Sequence, residues 1–455
     1  MSSYETPLPT RTGPPPTPGA PMRPPPPVRR QPAAMGMQEM KEAVEAAYAA
    51  EDAAAKPKTE PKTEPKTEPA VPNPSEKREL DLVFTMDVTG SMGTYIQSAK
   101  RNVERIAARL QQENGYDVRF GLVVYRDHHQ GDEFVQRRFQ FTRDAVEVKN
   151  TLATIGATGG GDGPEAVEAG LLYTLHMDWR ETATKICVLI GDAPPHGLGE
   201  ADDHFPNGAP TGVDPFKVLS QMSLKGITIY AVGCEPALSY YASATNFWIS
   251  AAQKTNGRAV ALESAASLGD IIVGGAVEEM DLHMLQADLC KRVREVRLSQ
   301  PHLPEAEVQN QVYRSLSSSA GATRQLSMKG LESKTAHLLA AADALETARA
   351  ALAPIVKSHT MRPEPRGYYG YRGLAATDDP DDCHASYRSL AAADDGMPGG
   401  PLYRAVSAAA PSPMDVAPSS AKEPTQPTEV KIEEGTLTME QFARLYKKLE
   451  KTGVL

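Results

Sequence analysis

The hexapeptide DVTGSM, residues 87–92, follows the apolar run LDLVF and a Thr-Met pair. Asp87, Thr89 and Ser91 alternate along it, so one tight turn offers a carboxylate and two hydroxyl oxygens. Three chemistries suit these residue types. An aspartate can attack a phosphoryl group and carry it as a covalent intermediate. A serine between glycines can act in acyl transfer, and TGSMG approaches that pattern around Ser91. Thr89 stands in its first glycine position, however, and no later Asp and His pair stands out as a triad. Third, carboxylate and hydroxyl oxygens are hard donors, which suit Mg2+, Mn2+ or Ca2+ rather than zinc.

Whichever chemistry applies, the turn must be held by the elements around it. ELDLVFTMD reads as a buried strand, and GTYIQSAKRNVERIAARLQQENG as a helix with Ile96, Val103, Ile106 and Leu110 on one face. VRFGLVVYRD and EFVQRRFQFT are two strands separated by the short HHQGD, which predicts an antiparallel hairpin. DAVEVKNTLATI, PEAVEAGLLYTLHMD, DPFKVLSQMSLKG and FWISAAQKTNG read as helices, followed by a long helix from about residue 268. KICVLIGD and ITIYAVGCE are continuous apolar runs, as expected of strands covered on both faces, and RAVAL is a shorter strand. Strands alternating with helices predict an α/β fold: a doubly wound, Rossmann-like, mostly parallel sheet with one antiparallel edge strand. Ligands of such sheets bind beyond the carboxyl ends of the strands, where DVTGSM falls.

Two further loops fall at comparable ends, ATGGGDGPE (157–165) and LIGDAPPHG (189–197). The order D-x-[ST]-x-S, glycine-rich loop, then apolar strand ending in Gly-Asp resembles the von Willebrand factor A (vWA) domain with its metal-ion-dependent adhesion site (MIDAS). VVYRDHHQGDEFVQRRFQFT, GGGDGPEAV and GDAPPHG look like the intracellular vWA subfamily found with α-kinases, over about residues 79–280, although no kinase region is seen. The resemblance implies a metal held by Asp87, Thr89, Ser91 and Asp192, with an open position for an acidic side chain of a partner protein. In the second loop the usual threonine aligns with Gly161, so Asp162 is the expected ligand and Thr158 the alternative. Three carboxylates would then surround one dication, raising its affinity and weakening its pull on a partner carboxylate. Asp127, His128, His129 and His196 lie on neighbouring strand-end loops: the histidines as rim contacts or ligands for a softer metal, or Asp127 and His196 as side chains that hold the loops in shape.

The expected function is a non-enzymatic, divalent-cation-dependent protein–protein interaction module serving as an adaptor or scaffold. The alternative is a phosphoryl-transfer enzyme or a regulatory component of α-kinase-type signalling. MDVTGSM resembles the DKTGT motif of P-type ATPases, with Asp87 as nucleophile, but Val88 replaces the lysine and no Asn-Asp pair follows Gly191-Asp192.

Flanking segments have a different texture. Residues 1–78 form a proline-rich arm expected to be disordered, ending in three tandem KTEP units. In it Pro24, Pro27 and Arg29 match the PxxPxR spacing of an SH3-type ligand. Residues 281–358 are expected as a helical extension, with one helix over 325–353 carrying Leu331, Leu338, Leu345 and Leu352 at seven-residue spacing. Residues 359–435 are expected as a disordered linker, and 436–453 as an amphipathic helix with a Thr438/Gln441 capping box, folding back on the domain or binding a partner groove. The net charge of −10 argues against a nucleic-acid surface. The N-terminus lacks an apolar signal core, no run approaches a membrane span, and four cysteines without CxxC spacing fit a reducing compartment, so the expected location is cytoplasmic.

Overall fold

Strand β1 (Arg78–Asp87) is buried along its last eight residues. Its alternate side chains serve two cores: Leu82, Phe84 and Met86 pack on one face of the sheet and Val83 on the other. This double burial is why the segment reads as a continuous apolar run rather than an alternating one. The computed structural model describes residues 78–112, 116–128, 132–359 and 430–455. The proline-rich arm with Pro24, Pro27 and Arg29, and most of the expected linker, lie outside the described residues.

Five more strands join β1: β2 (Tyr116–Tyr125), β3 (Gln136–Thr142), β4 (Thr184–Gly191), β5 (Ile227–Cys234) and β6 (Arg258–Leu262). Their order is β3-β2-β1-β4-β5-β6, with β3 antiparallel to β2 and all other pairs parallel. The doubly wound sheet with one antiparallel edge strand is therefore present. Strand order reverses at β1, which lies between β2 and β4, so a crevice opens beyond the carboxyl ends of β1 and β4. Met86 pairs with Ile190, which brings Asp87 level with Gly191 and next to Asp192.

Helices cover both faces. Ile96, Ile106 and Leu110 of α1 (Gly93–Gln112) pack with Ile272, Ala276 and Met280 of a long helix on one side. α2 (Ala145–Ala153) adds Val148 and Leu152 there. α3 (Val167–Leu175), α4 (Pro215–Leu224) and α5 (Ala244–Lys254) fill the other face. Gly170 lets α3 lie directly on the sheet, since a Cβ there would stand 2.5 Å from the Tyr125 ring. The long helix, α6 (Leu268–Ser299), runs through residue 280 without a break, past the expected end of the domain.

Beyond it the sequence expectation needs correction. After α7 (Glu305–Ser319) comes a strand, β7 (Thr323–Ser327), then α8 (Ala336–Ala340) and α9 (Leu345–His359). No single helix covers 325–353, and the four spaced leucines do not share one seam: Leu345 and Leu352 are buried whereas Leu338 is exposed. The cause is long-range pairing. β8 (Lys431–Gly435), inside the stretch expected as linker, pairs antiparallel with β7. Residues 329–331 bond to Ala259 and Ala261, which covers the open edge of β6.

The last helix, α10 (Met439–Lys451), begins with the Thr438/Gln441 capping box. It folds back: Phe442, Leu445, Tyr446 and Leu449 form a third core with Leu282, Leu289 and Val293 of α6 and Val308, Val312 and Leu316 of α7. Among the described residues no helix is long and apolar enough to cross a membrane.

Candidate metal centre

Asp87 is the last residue of β1, and its Oδ1 accepts hydrogen bonds from the Thr89 amide (2.8 Å) and hydroxyl (2.6 Å). That pair folds the turn, and a single 3-10 turn, Gly90–Met92, leads into α1. Thr89 Oγ1 lies 3.3 Å from Ser91 Oγ, and the Ser91 hydroxyl bonds to Asp192 at the end of β4. Asp87, Thr89, Ser91 and Asp192 thus meet in the crevice that the strand reversal creates.

The glycine-rich loop is stitched to this turn through its backbone. The Thr158 amide donates to the Val88 carbonyl (3.1 Å), and the Gly90 amide to the Gly159 carbonyl (3.2 Å). Gly159 and Gly160 have φ of +90° and +88°, a conformation that side chains disfavour. A Cβ on Gly160 would sit 2.9 Å from Glu165 Oε1 and 3.6 Å from Thr89 Cβ, so the Glu165 carboxylate reaches the same turn. Glu165 is only 6% exposed, and its amide bonds to the Pro194 carbonyl of the third loop. Neither Asp87 Oδ2 nor Glu165 Oε2 has a hydrogen-bond partner among the described residues, although both atoms are buried. The Tyr125 hydroxyl, buried beside the same carboxylates, is also unpartnered.

Asp162 stands elsewhere. Its Oδ2 accepts from the His204 amide at 2.5 Å, and the charges acting on it are those of Asp127, His196 and His204. Ligand atoms of Asp127, Asp162 and His196 lie within 4.8 Å of one another, a second cluster of metal-ligating residue types. Both His196 nitrogens are already engaged, Nε2 by Asp127 Oδ1 and Nδ1 by Asp203 Oδ1, each at 2.8 Å. Thr158 is exposed. His128 Nε2 lies 2.6 Å from Glu168 Oε1, and His129 is outside the described residues.

Protonation follows these contacts. Burial raises the Asp87 pKa well above its ordinary value, repulsion from Asp192 and Asp127 adds to it, and the Thr89 bonds oppose it. Glu165 is raised by burial and then by Asp87, Asp127 and Asp192. Asp192 is pushed up to about 6 by burial, against the Ser91 hydrogen bond. Burial also brings Asp162 to about 6. His196 behaves in the opposite sense. Burial would lower its pKa, but the bonds to Asp127 and Asp203 outweigh that and raise it to about 10, so it is an imidazolium clamped between two carboxylates. The crevice at Asp87 gathers carboxyl groups that burial and mutual repulsion drive toward the neutral form, whereas the His196 cluster supplies its own positive charge.

Sequence reasoning missed Glu165 and Tyr125. Glu165 immediately precedes a buried helix, which signals an unusual carboxylate, yet nothing local ranks it above Asp162 three residues earlier. Tyr125 reads as one more apolar strand residue.

The von Willebrand factor A domain family matches residues 81–198. Over 154 residues the chain is 33% identical to the alpha-protein kinase vwkA of Dictyostelium discoideum, a match covering 33% of this chain and 24% of that protein. It is 37% identical over 97 residues to the von Willebrand factor A domain-containing protein 7 of Rattus norvegicus, covering 20% of this chain and 10% of that one. The chain thus spans about a quarter or less of the length of these curated relatives. A solved von Willebrand factor type A structure from Catenulispora acidiphila is 14% identical, with a TM-score of 0.34 over 45% of this chain and 43% of its own. The residues that match the von Willebrand factor A domain begin inside β1 and end just past β4, the two strands whose ends carry Asp87 and Asp192.

Proposed function

We propose that the crevice at the ends of β1 and β4 holds a divalent cation, Mg2+ or else Mn2+ or Ca2+, in a MIDAS-type site. Its face then docks a partner protein and catalyses no reaction. The ligands we assign are Asp87, Thr89, Ser91 and Asp192, with Glu165 from the second loop in place of Asp162 or Thr158. The observation that carries this reading is the pair of buried, partnerless oxygens, Asp87 Oδ2 and Glu165 Oε2, on carboxylates that repel one another. Buried charges of one sign without a counterion are costly, and a dication among them removes that cost. All donors are oxygens, which fits a hard cation.

A bound cation would supply positive charge toward an acidic side chain of the partner. Asp87, Glu165 and Asp192 would offset more of its charge than two carboxylates do, so the partner contact relies on more than one carboxylate. The surface around it includes the loops braced by His196, and a cytoplasmic setting agrees with the buried free thiols of Cys187 and Cys234. The likeness to an alpha-protein kinase supports a second reading, a non-catalytic part in kinase signalling.

Thermal unfolding with and without Mg2+, Mn2+ and Ca2+ tests the site. The wild-type melting temperature should rise with at least one of them. Asp87→Ala with Asp192→Ala should abolish the rise, and Glu165→Gln should do so alone, whereas Asp162→Asn should keep it. A wild-type curve indifferent to all three ions overturns the reading. Loss in Asp162→Asn with retention in Glu165→Gln returns the second-loop ligand to Asp162.

A further inference from the structure

At the amino-terminal edge of the parallel sheet, opposite Asp87, lies a cleft of about 1020 Å3. The ends of α4 and α5, the turn into β6, α8 and α10 line it, and it opens broadly to solvent. Small side chains such as Ala443 leave the space open, and its size falls in the range of small-molecule sites.

Two lining residues have polar groups with nothing to bond. Asn256 is 5% exposed and held at φ +59°, and among the described residues neither its Oδ1 nor its Nδ2 has a partner. Ser223 is 5% exposed, and its Oγ is also unpartnered. Buried polar atoms in folded proteins are almost always satisfied, so unpaired ones on residues that line a cleft point to a ligand that supplies the partner.

The charge is mostly positive. Lys254, Lys447 and Lys451 line the cleft from α5 and α10. Lys451 Nζ donates to the Lys254 carbonyl, which leaves two of its three hydrogens for another acceptor. Two acids, Asp343 and Glu440, line the cleft beside these lysines. Asp343 lies 3.8 Å from Lys254 but is 92% exposed, and Glu440 is directed at Arg258. Arg444, also in the lining, is taken up by Glu278 and Glu279.

We propose that this cleft binds a small molecule carrying two or more phosphates, with Lys254, Lys447 and Lys451 on the phosphates and Ser223 and Asn256 on its remaining polar atoms. Lysine ammonium groups are point charges suited to phosphate oxygens, and three of them call for more than one anionic group. The cleft also has far more room than a single inorganic ion would fill. This site is independent of the metal centre.

Calorimetric titration of the full chain, metal-free and at constant ionic strength, tests it with inorganic tripolyphosphate and with ATP. Tripolyphosphate should bind saturably, and Lys447→Ala with Lys451→Ala should weaken it by at least about tenfold. Both lysines are exposed, and unchanged circular dichroism and melting temperature would show that the variant folds. If it does not fold, Lys447→Gln alone should still weaken binding. Asp87→Ala should leave binding unchanged, which separates this result from failure of the metal site. Tighter binding of ATP, with the gain lost in Ser223→Ala, would identify an organic ligand; equal affinities would identify inorganic polyphosphate. Absence of saturable tripolyphosphate binding, or binding that the lysine variants leave intact, overturns the proposal.

Discussion

Protons and a cation compete for the same oxygens at Asp192. Burial holds its carboxyl at about 6, so a proton displaces the metal more readily there than at an ordinary aspartate. The metal-dependent rise in melting temperature should therefore weaken as pH falls through about 6, in scans with and without Mg2+. The opposite sign applies at His196. Its folded pKa of about 10 lies above the ordinary value of 6.5, so its stabilisation is full below pH 6.5 and lost as pH rises through about 10. Urea unfolding across that window should show wild-type stability falling, with a shallower fall in His196→Gln. Equal slopes would mean that the clamp between Asp127 and Asp203 contributes nothing measurable. The turn residues Asp87, Thr89 and Ser91 were legible because a D-x-T-x-S turn is a local object. Glu165 was not, because its burial depends on the third loop and on Asp87, 78 positions away.

Helix α10 is anchored by one cation as well as by its apolar stripe. Arg444 bonds to Glu278 (2.7 Å), Glu279, Tyr230 and the Asn256 carbonyl, joining the helix to α6, β5 and the turn before β6. Glu278 and Glu279 are almost fully buried, so removing the arginine leaves two carboxylates poorly compensated. Arg258 still reaches Glu278, and Lys448 lies 3.6 Å from Glu279. Breaking a buried ion pair from one side costs about 3–5 kcal/mol, and Arg444→Ala should lose roughly that in chemical denaturation. A loss near zero would show that the acids are neutral or rehydrated in the folded state. The periodicity of α10 was plain from its residues, and its partner was not, because Arg444 meets Glu278 across 166 positions.

On the scale of the molecule, residues 430–455 belong to the same folded body as the six-stranded sheet. They supply β8 to pair with β7, five side chains to the third core, and the counterion for α6. Deleting 430–455 should cost at least about 5 kcal/mol, much of the stability of an ordinary domain, measured by urea unfolding of the truncated chain. Wild-type stability in that truncation would show that the terminal segment is a separable appendage.

The sequence by itself determined the six-stranded sheet, its antiparallel edge and the three loops at its carboxyl end, because apolar runs and turn residues act over a few neighbours. Tertiary structure alone decided which second-loop carboxylate reaches Asp87, that His196 carries its charge between Asp127 and Asp203, and that residues near 325 form a strand. Each depends on groups distant in the chain meeting where water is excluded. There an unpaired oxygen or a buried charge becomes costly enough to set the arrangement.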